Sequence, residues 1–136
     1  MDHDTFMGQV QARARLDSRG AAEAATRATL ETLAERVPAP LAAKLAAQLP
    51  REIGEHLRRV ATAPDQPAGG LRMSRRDFLD RLAQRAGADV AKAAYEARGV
   101  VEVVGEATEG AVLERIRQAM DDDLAELLFA GSTGPA

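Results

Sequence analysis

Apolar residues recur at every fourth position in two stretches of the chain. In the first stretch they are Leu41, Leu45, Leu49, Ile53 and Leu57, and in the second, seventy-one residues later, they are Val112, Ile116, Met120, Leu124 and Leu128. Side chains spaced by four residues lie on one face of an α-helix, which is the face that packs against a core. The recurrence predicts that the chain contains two copies of one helical unit.

Similar apolar spacing elsewhere predicts about eight helices, so the expected fold class is all-α. We predict a helical bundle built from two tandem repeats of a three-to-four-helix unit, residues 1–60 and 74–129, which together form one compact domain. Residues 61–73 hold two prolines and a Gly-Gly pair without apolar periodicity, which predicts a linker between the repeats. Residues 130–136 are predicted to form a flexible tail.

The segment of residues 95–108 is ambiguous, because its β-branched residues and glycines are typical of a strand when they are taken alone. At an offset of seventy-one residues, however, it matches the second helix of the first repeat. The matching pairs are Leu30 and Val101, Glu31 and Glu102, Leu33 and Val104, and Glu35 and Glu106. We therefore predict a helix here, weakened by Gly99 and Gly105 at about 1 kcal/mol each relative to alanine.

Composition narrows the classes of function. The 136 residues include no cysteine, which excludes disulfides, thiolate metal sites and thiol catalysis and suits a reducing cytoplasm. A net charge of −3 and an aromatic content of 3% argue against nucleic-acid binding, which relies on basic surfaces and stacking side chains. No apolar run is long enough for a membrane span, and the acidic N-terminus lacks the positive region of a signal peptide. We expect a soluble, cytoplasmic protein.

Side chains that could carry chemistry form no recognisable site in the sequence. Asp2, His3 and Asp4 are too close together to converge readily on a metal ion, and His56 is expected to pair with glutamates on its own helix. The segment SRRDFLD, residues 74–80, resembles a twin-arginine export motif, but its internal position and charged continuation favour a solvated helix start capped by Ser74. Phosphate-binding, nucleophile-elbow and zinc-protease motifs are absent. We predict no catalytic residues, no cofactor, no metal and no enzymatic activity.

Five arginines flank the predicted linker and are the best candidates for an interaction patch: Arg58, Arg59, Arg72, Arg75 and Arg76. If the fold gathers them on one surface, they will attract an acidic or polyanionic partner. Acidic residues nearby and the shortage of aromatic side chains favour a protein partner over a nucleic acid.

The order of the segments resembles a bacterial family known as domain of unknown function 2267. The resemblance rests on the segments DTFMGQVQARARLD and AAEAATRATLETLAERV and on LAAQLP, residues 45–50. The second repeat departs from it, because Met120 and Asp121 replace Leu and Pro and because Gly99 and Gly105 interrupt the helix. The resemblance implies an all-helical, soluble, bacterial protein and provides no catalytic residues.

The leading hypothesis for function is therefore a non-enzymatic module that binds another protein or itself. One concrete form of it is a homodimer in which two chains exchange their repeats across the linker. The alternative hypothesis is a binder or sensor of a small apolar ligand held between the repeats, in a cavity lined by Val101, Val104 and Leu33 beside the glycines of the sixth helix. The sequence does not identify the partner.

Overall fold

The computed structural model describes residues 1–131, and in that part of the chain it contains eight α-helices and no strand. The predicted all-α class is thereby confirmed. The last five residues of the predicted tail, 132–136, lie outside the described residues. The helices are α1 (His3–Arg13), α2 (Arg19–Arg36), α3 (Ala39–Gln48), α4 (Arg51–Ala61), α5 (Arg75–Ala86), α6 (Val90–Ala107), α7 (Gly110–Gln118) and α8 (Asp122–Leu128).

Helix starts coincide with residues that cap or begin helices well. Side-chain oxygens accept hydrogen bonds from first-turn amides at α1, α2, α5 and α6, and the capping residues are Asp2, Ser18, Ser74 and Asp89. The predicted cap at Ser74 is therefore confirmed. Pro38 and Pro50 stand at the starts of α3 and α4, where a proline removes no helical hydrogen bond.

The two longest helices, α2 and α6, lie at the centre of the bundle. They contact each other, α1 and α5 each pack against both of them, and α4 and α8 cover α2 and α6 respectively. The two apolar ladders supply much of the core, since Leu45, Ile53 and Leu57 are fully buried and Ile116, Leu124 and Leu128 are at most 1% exposed. In the part of the chain that is described, no helix combines the length and the apolar character needed to cross a lipid bilayer.

The segment of residues 95–108, which is ambiguous in the sequence, belongs to α6 and its C-cap, so the predicted helix is confirmed. Its two glycines lie at close contacts with other helices. A Cβ atom added to Gly99 would lie 3.4 Å from both the Cβ and the amide nitrogen of Ala14, so the small residues allow α1 and α6 to approach each other. A Cβ on Gly105 would lie 3.4 Å from Leu113. The gaps that the sequence analysis expected beside these glycines are therefore occupied.

Residues 62–74 connect α4 to α5 and are tied to the end of α2. The amide of Leu71 donates to the carbonyl oxygen of Glu35 at 2.7 Å, and the amide of Ala39 donates to the carbonyl oxygen of Ala68 at 2.8 Å. Gly70 has φ +87°, and a Cβ there would lie 2.4 Å from the carbonyl oxygen of Arg36. Only glycine fits this turn, because both its backbone angle and its closeness to α2 exclude a side chain.

Two arginine–glutamate clusters join the first four helices to the last four. In the first cluster, Arg13 of α1 donates to Glu102 at 3.0 Å and to Glu106 at 2.6 Å, both on α6. The second cluster contains Arg85 of α5, which donates to Glu35 at 2.5 Å and to the Thr32 hydroxyl at 2.9 Å, both on α2. In each case a guanidinium from the first helix of one half meets the long central helix of the other half.

Candidate interaction surface

The first turn of α5 borders a cleft of about 550 Å³ between α5, α6 and α8. We call it the Val90 cleft, and it is lined by Ser74, Arg75, Arg76, Leu79, Asp80, Val90 and Asp123. The Ser74 hydroxyl fixes the start of α5 by accepting the amide of Asp77 at 3.1 Å. The two arginines that follow it consequently stand side by side at the edge of the cleft.

An apolar strip forms part of this cleft. Leu79 is 9% exposed and belongs to the core, whereas Val90, the first residue of α6, is 39% exposed. Within residues 1–131, the large hydrophobic residues with exposed side chains are Val90 and Met1. Since Met1 is at the chain terminus, Val90 marks the part of the folded surface where an apolar side chain is left uncovered beside a concave site.

The charged groups of the Val90 cleft are loosely paired. Arg75 donates to the backbone carbonyl oxygen of Asp123 at 3.5 Å, and the Nε of Arg76 lies 3.9 Å from Asp80. Both distances are at the outer limit for such contacts, and the Arg76 side chain is 90% exposed. The Asp123 carboxylate already accepts the amide of Leu124 at 2.8 Å. The two guanidinium groups therefore keep most of their donors for solvent or for a partner.

The other arginines of the predicted patch lie outside the Val90 cleft. Arg58 donates to Glu55 at 3.0 Å and to the carbonyl oxygen of Ala46 in α3 at 3.3 Å. Arg59 donates to Glu31 of α2 at 2.9 Å. Arg72 is exposed in the connection before α5. The structure brings Arg75 and Arg76 together in one cleft, and it uses Arg58 and Arg59 to fasten α4 to neighbouring helices.

A second cleft, of about 410 Å³, contains both histidines of the chain. His3 of α1 and His56 of α4 line it together with Met7, Glu23, Ala24, Arg27 and Glu52. The sequence analysis missed this pairing, because the two histidines are fifty-three residues apart and lie on helices whose packing no local pattern specifies.

Each histidine accepts a hydrogen bond from an arginine. Arg19 lies 3.1 Å from the Nδ1 of His3, and Arg59 lies 3.0 Å from the Nδ1 of His56. Arginine only donates, so its bond to His56 places the lone pair of that ring on Nδ1, whereas the Nδ1 of His3 also lies 3.7 Å from the carboxylate of Asp4. Burial, and after it the charge of Arg59, lowers the pKa of His56, although Glu31 opposes this shift. Its surroundings therefore favour the neutral form of His56.

This arrangement does not suit a metal ion. A histidine that binds a metal through Nε2 usually donates its Nδ1 proton to an acceptor, whereas the partner of Nδ1 here is a donor. Asp2 is used as the cap of α1, and Asp4 pairs with Arg19, which lowers the pKa of Asp4. Across residues 1–131, no group of three or more histidine, aspartate or glutamate side chains is placed so that it could hold a metal ion.

Comparison with known proteins identifies the family but not an activity. No curated protein matches the chain. The sequence profile of a family described as an uncharacterized conserved protein, DUF2267, matches residues 3–127. This match covers all of α1 through nearly all of α8. The chain therefore belongs to the domain of unknown function 2267 family, as its sequence had indicated.

Proposed function

We propose that the protein is a non-enzymatic module that binds another protein through the Val90 cleft. The occupant we infer is a short segment of the partner that carries an apolar side chain next to a carboxylate. One observation carries this proposal: an exposed valine, an apolar strip and two loosely paired arginines occupy the same concave surface.

The chemistry of the cleft matches such a segment. An apolar side chain that buries about 100 Å² against Val90 and Leu79 gains roughly 2.5 kcal/mol from leaving water. A carboxylate beside it can accept two parallel hydrogen bonds from one guanidinium, which is the strongest common form of this interaction. Asp80 and Asp123 would repel a carboxylate placed at their end of the cleft, so they restrict the orientation of the segment.

Selection of peptides from a random displayed library, with the full chain as bait, tests this proposal. We expect the selected peptides to share an apolar residue followed by Asp or Glu. In fluorescence anisotropy, the double substitution Arg75→Glu and Arg76→Glu should weaken their binding at least tenfold, and Val90→Ser should weaken it several-fold. A selection without a shared pattern, or binding that survives the double substitution, would contradict the proposal.

A matched control separates the cleft from general charge effects. Arg51 is the first residue of α4, as Arg75 is of α5, and Arg115 is exposed on α7. The double substitution Arg51→Glu and Arg115→Glu changes the net charge by the same amount and places one glutamate at the same point of a helix. Peptide affinity should be unchanged in this control.

Self-association by exchange of repeats is a second candidate function, and the internal order of the chain favours it. The starts of α5, α6, α7 and α8 follow those of α1, α2, α3 and α4 by 72, 71, 71 and 71 residues. The contacts are reciprocal as well, since α1 packs on α6 while α5 packs on α2. These regularities support two repeats, residues 1–60 and 74–129, related by an approximate two-fold axis.

A reciprocal interface can form between chains as well as within one chain. In an exchanged dimer, α1 and α2 of one copy would meet α5 and α6 of a second copy and would reuse the same arginine–glutamate clusters. A dimer formed by contact between two already folded chains would be less stable, because a stable interface needs an apolar centre. Within residues 1–131, the exposed large hydrophobic residues are Met1 and Val90. Exchange is therefore the form of self-association that this fold supports best.

Light scattering after size exclusion, across a concentration series, tests the exchange. We expect a monomer and a dimer that interconvert slowly. A chain with Arg85→Glu, refolded together with a chain carrying Glu35→Arg, should form a mixed dimer, because the two copies of the second cluster pair opposite charges at positions 85 and 35 only across the two chains. A strict monomer at all concentrations, with no mixed dimer, would eliminate this candidate.

The apolar-ligand alternative has no support in the structure. Val101, Val104 and Leu33 are at most 4% exposed and belong to the packed core. The positions beside Gly99 and Gly105 are already filled by Ala14 and Leu113. Since described residues occupy the space that this hypothesis requires, we do not propose it.

A further inference from the structure

A groove of about 310 Å³ lies where the connection between α1 and α2 meets the connection between α5 and α6. It is independent of the Val90 cleft, with which it shares no lining residue. Much of its wall consists of alanine methyl groups, from Ala14, Ala21, Ala24, Ala25, Ala86 and Ala88. These small side chains leave room for a ligand, and their methyl groups make part of the wall apolar.

Glu96 of α6 reaches this groove from a buried position. The residue is 7% exposed, and its side chain is 9% exposed. Among the described residues, no side chain or amide donates a hydrogen bond to its carboxylate, and its charged partner is the Nζ of Lys92 at 4.0 Å. Lys92 is on the same helix and its side chain is 64% exposed. The Glu96 side chain is thus largely buried, and its counter-charge is a distant and exposed ammonium group.

Glu96 differs in this respect from the glutamates at the junction between the two halves of the chain. Glu35, Glu102 and Glu106 each accept a hydrogen bond from an arginine at 3.0 Å or less. Burial raises the pKa of Glu96, and the charge of Lys92 offsets this only in part. A buried carboxylate without such a partner costs free energy. A cation that entered the groove would reduce this cost.

Packing of the helices does not require a carboxylate at this position. Seventy-one residues earlier, at the place that matches Glu96 in the sequence, the chain has Ala25, which lines the same groove. Both residues are buried, at 3% and 7% exposure. A methyl group is therefore sufficient for the core here, and the carboxylate adds a charge that Lys92, at 4.0 Å, offsets only in part.

We propose that this groove binds a small aliphatic primary amine, with the ammonium group on Glu96 and the alkyl chain against the alanine wall. An ammonium carries three hydrogen-bond donors, of which the two oxygens of Glu96 can accept two. The alkyl chain would gain about 0.8 kcal/mol for each buried methylene. Asp17 favours a cation at the rim, whereas Arg15 and Lys92 oppose it, so a ligand with one amine is preferred over a larger polycation.

Tyr95 lines the groove with a side chain that is held in place by a hydrogen bond. Its hydroxyl donates to the carbonyl oxygen of Arg13 at 3.2 Å and so links α6 to the end of α1. A tyrosine that is held in this way loses little freedom when a ligand binds beside it. The alkyl chain would therefore contact a preformed surface.

Titration of the full chain with n-butylammonium chloride, followed by NMR at pH 7.5 and constant ionic strength, tests the proposal. We expect saturable shifts of the methyl signals of Ala21 and Ala25. Glu96→Gln should weaken binding at least tenfold, whereas Lys92→Ala should tighten it several-fold because the competing ammonium is removed. The exposed Glu126→Gln on α8 serves as the control and should bind like the wild type. n-Butanol, which has a similar shape without the charge, should bind at least tenfold more weakly.

A second measurement reports directly on the carboxylate. In protein labelled with ¹³C at glutamate carboxyl groups, bound butylammonium should lower the pKa of Glu96, because a bound cation stabilises the ionised form. The proposal is overturned if Glu96→Gln binds butylammonium as well as the wild type does, if butanol binds equally well, or if the Glu96 titration is unaffected by the amine.

Discussion

Arg15 adopts a backbone conformation that costs free energy for any residue with a side chain. Its φ is +53°, and it is the non-glycine residue with positive φ in the part of the chain that is described. The turn that follows α5 uses Gly87 at φ +63° for the same purpose. Left-handed residues after a helix are usually glycine, because they lack the Cβ that clashes there.

Arg15→Gly should therefore stabilise the protein. We expect the free energy of unfolding to rise by about 1 kcal/mol, measured by urea denaturation. Arg15→Ala removes the same side chain but keeps the Cβ, so it should bring little or no gain. If the glycine and alanine variants were equally stable, strain at Arg15 would not be the cause.

His56 should make stability depend on pH. Because burial and Arg59 lower its pKa in the folded state, the unfolded chain binds the proton more readily. The stabilisation is present above the ordinary value of 6.5 and is lost as the pH falls through 6.5 towards the lower folded value. Wild-type stability should thus decline more steeply than that of His56→Gln between pH 7.5 and 5.5.

Urea midpoints of both proteins at several pH values give this comparison. The difference between the two proteins is the useful quantity, because Glu96, whose pKa is raised, has the opposite effect in both. Arg27, Glu31, Glu52 and His3 also face the ring and remain in both proteins. Parallel pH profiles would show that His56 titrates as it does in the unfolded chain.

At the scale of helices, two glycines show how packing can outweigh helix propensity. Gly8 lies on the exposed face of α1, with no atom within 4 Å of an added Cβ. Gly54 is buried in α4, and a Cβ there would lie 2.7 Å from the carbonyl oxygen of Ala46 in α3. The same substitution should therefore have opposite effects at these two positions.

Gly8→Ala should raise the free energy of unfolding by up to about 1 kcal/mol, since alanine loses less backbone entropy in a helix. Gly54→Ala should lower it by about 1 to 3 kcal/mol, because α3 and α4 must separate to admit the methyl group. Thermal unfolding followed by circular dichroism measures both. If Gly54→Ala raised the stability instead, α3 and α4 would be too far apart for a methyl group to contact the carbonyl oxygen of Ala46.

The number and type of the helices follow from the sequence, because apolar spacing, caps and prolines are local signals. The strand-like residues of α6 show the limit of local propensity, since Val101, Val103 and Val104 form a buried helix. Helix packing is not a local signal. Which helices become neighbours determines the partners of Arg58 and Arg59 on α3 and α2. It also places His3 and His56 in one cleft and buries Glu96. The sequence analysis accordingly named Arg75 and Arg76 but missed the cleft that contains His3 and His56 and the groove that contains Glu96.

At the scale of the whole molecule, the two arginine–glutamate clusters hold the halves together. Arg13→Met and Arg85→Met keep the aliphatic part of each side chain but remove a guanidinium group that pairs with partly buried carboxylates of the opposite central helix. Each should lower the free energy of unfolding by about 1 to 3 kcal/mol. Arg117→Met is the control, because its pair with Glu114 lies on the exposed face of α7 and should contribute less than about 0.5 kcal/mol.

Hydrogen exchange can show whether these clusters act between the halves. In both variants, amides of α1 and α5 should exchange faster than in the wild type, whereas the amides of the buried residues Ile53 and Leu57 in α4 should be unaffected. Uniform acceleration along the whole chain would instead indicate that the clusters affect only global stability.

The reciprocal packing also affects how the chain folds during synthesis. The face of α2 that carries Thr32 and Glu35 is covered by α5, whose first residue is thirty-nine residues after the last residue of α2. At about 5 to 20 residues per second, the ribosome needs roughly 2 to 8 s to add that length. During this time the N-terminal half lacks the helix that covers this face of α2. A nascent chain that stalls before residue 75 therefore presents an uncovered helix face to chaperones and proteases.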